Sequence, residues 1–452
     1  MKKLARCWMI FFLGLVFTIG LSAQGWMQWR GPAMNGSTTT TNLPIEWSEQ
    51  TNIVWAVTMP GKSGSTPAIF NTNIFAVSQG SYGRLLLLNL AMKNGNVLWE
   101  KEITRVENWE SDSSFEKGFY SLSSPITNAK NIWALFGSGH IAAYDFAGNK
   151  LWKRDLPNEH GLTKSRFLNA VTPVFFAGRL YIPLPAEDSA SQPKPLLLCL
   201  DAKNGATLWT QEWLAHANEK QRCGPLSASL YEGEGEQKKQ LIVSGVSGIT
   251  GHCLESGDEI WSYLPANGQS AKQELILSAP VPAPDMGVLF AVICSQKSLI
   301  AIDMNSATGS VEEKDLVWIS QEQDALNSVS SPLYYLGKIY VLETDSPSSL
   351  VCREAVNGKE LWRGRLSVRD RFSSSPTGAN DKIYCLSDEG HVLIISAVAS
   401  QYEEIASIKM DGQTFNSNIA VSNQRLFIRT LEKLYCVKKR QWIRFMDNEF
   451  LD

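Results

Sequence analysis

The chain has 452 residues, 44% of them hydrophobic, and a formal net charge of −3. That length and balance allow a large buried core and exclude wholesale disorder, and no basic excess points to a nucleic acid or another polyanion. Fifteen tryptophans, together with few stretches of 3.6-residue apolar periodicity, argue for an all-β chain.

In chain order, Lys2, Lys3 and Arg6 precede an apolar run from Trp8 to Leu21, and Ser22-Ala23 supplies small residues for cleavage. Residues 1–23 therefore read as a secretory signal, the run being short for a membrane span of roughly 20 residues. Cys7 precedes the run and none follows it closely enough for lipidation. The expected product is an exported protein, secreted or periplasmic, with no stable membrane span, a retained anchor being the alternative. An arm over 24–50 follows.

Residues 56–63, Ala56 through Gly61-Lys62-Ser63, have the spacing of a phosphate-cradling loop if Ala replaces the first glycine. Such a loop must open a helix. Here Pro67 follows within four residues of Ser63, so the segment reads as a turn into a strand.

Repeats define the rest. Asn94-Gly95-Asn96-Val97-Leu98-Trp99, Asn204-Gly205-Ala206-Thr207-Leu208-Trp209 and Asn357-Gly358-Lys359-Glu360-Leu361-Trp362 share one pattern, with looser copies ending at Trp152, Trp261 and an expanded copy ending at Trp318. With Trp55 the tryptophans are spaced by 44, 53, 57, 52, 57 and 44 residues. Upstream of each lie three strand signals, the first often opening Ser/Thr-Pro, as at Ser124-Pro125, Thr172-Pro173, Ser331-Pro332 and Ser375-Pro376. One such four-stranded unit cannot cover both of its faces, so copies must stack around an axis. First strands begin near residues 65, 122, 170, 226, 277, 329, 373 and 416, which makes eight blades over 51–438. The last unit has no Trp strand of its own, and the segment Asn52 to Val57 is a Trp strand with no blade before it. Pairing them closes an eight-bladed β-propeller and removes its free edges. Residues 439–452 form a C-terminal tail.

The run from Asp201 to Trp209 resembles the repeat of the pyrroloquinoline-quinone (PQQ)-like β-propeller proteins, over about 51–438. In that family the tryptophans dock between neighbouring blades, a role the resemblance implies for Trp55, Trp99, Trp152, Trp209, Trp261, Trp318 and Trp362. The arm, with Trp29-Arg30-Gly31-Pro32 and Asn35-Gly36, resembles that of BamB-like envelope scaffolds. The resemblance implies a non-catalytic, monomeric propeller that binds envelope proteins and needs no cofactor. Its alternatives are a PQQ-dependent quinoprotein oxidoreductase and a carbohydrate- or polymer-binding module. The quinoprotein branch typically has adjacent disulfide-bonded cysteines, acidic and Asn ligands for calcium and an Asp base; no Cys-Cys pair or Cys-x-x-Cys-His haem site occurs here. No catalytic residue carries over to a matching position.

The five histidines lie in different repeats without metal-ligand spacing, so no metal site is expected. Cys199, Cys253, Cys352 and Cys436 fall at what reads as one third-strand position, suited to buried free thiols, whereas Cys223 lies in a loop. The connections from each Trp strand to the next first strand emerge on one face, around the channel mouth. Their residues Trp109, Arg166, Arg222, Glu274, Asn327 and Arg371 mix aromatic, basic and acidic groups and are the candidate binding face, since loops on a rigid frame commonly carry function.

Overall fold

The computed structural model describes residues 25–111, 119–161, 171–185, 195–213, 227–235, 238–245, 248–265, 278–293, 298–320, 330–343 and 347–440. Eight sheets follow one another, each built on four antiparallel strands running from the inside of the ring outward. Blade 3 is representative, with strands Val174–Phe176, Arg179–Leu184, Leu196–Asp201 and Thr207–Glu212. The two middle strands are buried on both faces between neighbouring blades and are accordingly continuous apolar runs, such as Leu85 to Leu88 in blade 1. Outer strands meet water and alternate.

Ring closure is a strand exchange between the two ends of the chain. Ile53–Thr58 is the outer strand of blade 8 and pairs antiparallel with Lys433–Lys438, Trp55 opposite Cys436 and Thr58 opposite Lys433. The P-loop-like segment is the exit from that strand: Gly61–Lys62 makes a short antiparallel pairing with Gly80 and Gln79. Buried Arg429 bridges the same seam by donating to Gly61 O and Ser78 Oγ.

The Ser/Thr-Pro signals have a structural cause. At the head of the innermost strands, each backbone N–H donates to the side-chain oxygen of the equivalent residue one blade on: Thr66 to Ser124, Ser124 to Thr172, Ala279 to Ser331, Ser331 to Ser375 and Ser375 to Asn418. Asn418 N–H then donates to Thr66 Oγ1 across the closure. The proline that follows has no N–H to satisfy, so the motif suits a position where the chain leaves this ring and enters a strand.

Blade 5 departs from the pattern. Its expanded segment contributes Gly309–Val311 as a fifth strand, parallel to the outer edge of blade 4, with Trp261 opposite Gly309 and Tyr263 opposite Val311. Ile260 is therefore half-covered, while the equivalent aliphatics Leu98, Leu151, Leu208, Val317 and Leu361 stay exposed.

Candidate binding face and plugged channel

The arm crosses the channel. Trp26, fully buried, bridges Ile69 of blade 1, and Met27 O accepts from Thr127 N of blade 2. Met34 packs in the cluster of Val174 and Tyr181 in blade 3, and Ser37 pairs with Gly378 of blade 7. A segment that touches inner strands on opposite sides of a ring must span it. Arg30 sits at the centre of this crossing and is 2% exposed. Its guanidinium donates to three backbone carbonyls, Asn35, Pro332 and Pro376, with no carboxylate partner among the described residues. Burial pushes its pKa down to about 9. The Trp-Arg-Gly-Pro motif thus ties the arm to blades 6 and 7 from inside the channel.

The face at the other end of the blades carries the loops. In blade 1, Tyr82 at the tip between the second and third strands is 70% exposed and has a φ of 59°, an uncommon conformation for an aromatic residue. It meets Trp109 edge-to-face at 6.2 Å between ring centroids. Trp109 is half-exposed, and a Cβ on the intervening Gly83 would lie 3.0 Å from it. Sequence reasoning found Trp109 because it lies outside the repeat but missed Tyr82, whose only signal is the Ser81-Tyr82-Gly83 turn.

Arg371 lies on the same face, in the connection from blade 6 to blade 7. Its side chain is 66% exposed, and Nε stands 3.9 Å from Asp388 Oδ2. Asp388 accepts from Ser373 N at 2.9 Å and Ser373 Oγ at 2.5 Å; burial nonetheless raises its pKa. Beside it, Asp370 Oδ2 accepts from both Ser387 Oγ and His391, each at 2.6 Å. Burial would raise the Asp370 pKa, but these two hydrogen bonds outweigh it and hold the carboxyl below its ordinary value. Ser, His and Asp are thus together without forming a triad: the hydroxyl and the imidazole share the carboxylate, and the hydroxyl does not donate to the imidazole. The cluster fixes the turn on which Arg371 rests. Blades 7, 8 and 1 are consecutive, so Arg371 and the Tyr82–Trp109 pair border one sector. Arg166, Arg222, Glu274, Asn327 and Cys223 lie outside the described residues.

The girdle tryptophans fall into two groups. Trp55, Trp99, Trp152, Trp209 and Trp318 each donate Nε1–H to a carbonyl of the next blade, those of Met92, Phe146, Ala202, Leu254 and Ala355. In each case the ring lies over the glycine of the next repeat. Trp261 instead donates to Gln240 within its own blade, and Trp362 Nε1 is buried without a partner among the described residues. The sequence explains both. Blade 5 has Ala307 where the docking glycine would stand, its N–H closing the same turn to Asp303 O, and blade 7 has no glycine after its third strand.

Cys199, Cys352 and Cys436 do share one position, each opposite a Trp. Cys253 does not: Gly251 faces Trp261, and Cys253 lies two residues on, at the position of Asp201. Cys199, Cys253, Cys352, Cys385 and Cys436 are free thiols. Among the described residues no three His, Cys, Asp or Glu side chains come together as metal ligands.

A closed eight-bladed propeller with an arm crossing its channel and a loop-bearing face belongs to the PQQ-like repeat class. The chain belongs to the family of the outer membrane protein assembly factor BamB, which matches residues 36–182 and 194–441. No curated protein matches the sequence. Among solved structures, BamB from Moraxella catarrhalis is similar at 14% identity and a TM-score of 0.59, covering 86% of this chain and 98% of its own. A europium-containing methanol dehydrogenase is similar at 10% identity and a TM-score of 0.66, covering 89% and 88%. The quinohemoprotein alcohol dehydrogenase from Comamonas testosteroni gives 10%, 0.64, 92% and 81%. At such identities these likenesses establish the fold alone.

Proposed function

We propose that this protein is exported and works as a non-catalytic scaffold that binds protein partners in the cell envelope. Membership of the BamB family supports the setting. The observation that carries the binding role is the Tyr82–Trp109 pair, an exposed tyrosine at the tip of blade 1 set edge-to-face on a half-exposed tryptophan that packs against the blade core. Large rigid aromatics lose little entropy on contact and dominate many interfaces, and an exposed guanidinium such as Arg371 is the other common anchor. With the channel crossed by the arm, the loop face is where these aromatic and guanidinium groups are presented to a partner of protein size.

The test is crosslinking in the native envelope followed by capture, comparing wild type with a Trp109→Ala, Arg371→Ala double variant and with Tyr82→Ala, each checked for an unchanged melting temperature. Loss of one specific partner in both is the expected result. An unchanged partner set moves the site off this face, and quinone-dependent dye reduction by the wild type replaces the scaffold reading with an oxidoreductase.

A further inference from the structure

Seven outer strands carry a tryptophan opposite the third strand, and the eighth does not. In blade 7, whose outer strand is Glu404–Lys409, Ala406 faces Ile394 where the other blades place Trp. The seam between blades 7 and 8 therefore lacks the indole that would wedge it. The arm supplies a partial replacement in Trp47, which is buried and donates Nε1–H to Met410 Sδ at 3.1 Å. Beside it a groove of about 680 Å³ remains open, walled by Trp47, Val54, Trp55 and Tyr435 and including Lys409 and Lys433. Val54 presents 43% of its surface there, and Lys433 is already paired with Asp411.

We infer that this groove is the docking site of the chain's own C-terminal segment, residues 441–452, which lie outside the described part. Two observations carry this. The first is the tether: the last described residue, Arg440, donates its N–H to Asn52 Oδ1 at 2.9 Å, and Ile53, adjacent to Asn52, lines the groove. Twelve residues can span roughly 40 Å, more than the length of one outer strand. So short a tether holds its segment at an effective concentration on the order of millimolar, enough for a modest apolar contact to persist. The second is composition. Trp442, Ile443, Phe445, Met446, Phe450 and Leu451 make half of the segment large and apolar, too much for a solvated extension and well matched to a seam that lacks a tryptophan. Asp447, Glu449 and Asp452 would have to share the two lysines with their present partners, Glu389 O for Lys409 and Asp411 for Lys433. The inference does not depend on the scaffold reading.

Two experiments decide it. In the full chain, a photo-crosslinking phenylalanine analogue at position 445 should link within the same molecule to residues 53–56 or 409–411. Links elsewhere in the chain, links between two copies, or none at all would overturn the assignment. Val54→Arg, at a position exposed enough to accept the change, should lower the melting temperature of the full chain and leave that of a chain ending at Arg440 unmoved. That shortened chain keeps all eight sheets and the ring closure. An equal shift in both chains, or none in the full chain, would count against docking.

Discussion

His252 shows how a single side chain in this fold becomes a stability determinant. It is 2% exposed in the third strand of blade 4, where Nδ1–H donates to Gly257 O at 3.0 Å and Nε2 accepts from Thr250 Oγ1 at 2.8 Å. Thr250 Oγ1 in turn accepts from Trp213 Nε1 at 2.9 Å. A neutral imidazole, which burial favours, fits this chain of bonds. Burial lowers the pKa from 6.5 to about 4, so between those values the unfolded chain binds the proton and the folded one does not. The contribution is complete above pH 6.5 and is lost as pH falls toward 4, up to about 3 kcal/mol at 1.36 kcal/mol per unit. Burial shifts His140 and His160 the same way. Urea unfolding followed from pH 7 to pH 4.5 should show wild-type stability falling, with a shallower fall in His252→Gln.

At the scale of the repeat, the determining pair is a glycine and the tryptophan of the preceding blade. Gly205 has φ of 75°, and a Cβ there would lie 2.7 Å from the Trp152 ring, so the position excludes a side chain twice over. Gly337, in the turn between the first two strands of blade 6, has φ of 68° and open space around it. Comparing the two separates the causes. Gly337→Ala should cost only the left-handed backbone penalty, about 1 kcal/mol. Gly205→Ala should add about 1–3 kcal/mol of overpacking as the indole is pushed from its hydrogen bond with Ala202 O. Denaturant midpoints of the two variants measure the difference, and equal losses would mean that docking contributes little. Blade 5 already carries an alanine in this turn, Ala307, with its backbone outside the left-handed region, and there Trp261 lies within its own blade against Gly251.

For the whole molecule, stability depends on a ring that closes non-covalently. The seam between blades 8 and 1 is held by the Ile53–Thr58 strand, by the Asn418–Thr66 bond and by Arg429 on Gly61. A chain lacking residues up to Thr58 loses the outer strand and the arm together, leaving the Lys433–Lys438 edge and the channel bare. Exposed edges of this kind recruit other chains. Size-exclusion chromatography with light scattering should find that deletion aggregated, whereas removal of residues 441–452 should leave a folded monomer. A monomeric, soluble N-terminal deletion would contradict closure by the arm strand.

By itself the sequence determined the blade count, the strand order and the closing strand, because those follow from local periodicity and from a repeat whose Gly-to-Trp spacing is nearly constant. It also marked Trp109 and Arg371 as residues the repeat does not need. Tertiary structure alone decided the rest, since these features join residues far apart in the chain. Arg30 meets Pro332 and Pro376 more than three hundred residues away, and no local pattern specifies that an arm threads a channel. The fate of each tryptophan depends on a glycine in the following repeat, so identical motifs at Trp209 and Trp362 end in different contacts. Tyr82 becomes a partner for Trp109 only once one blade's loops are brought together, and Ala406 leaves a groove only because the neighbouring outer strand comes from the other end of the chain.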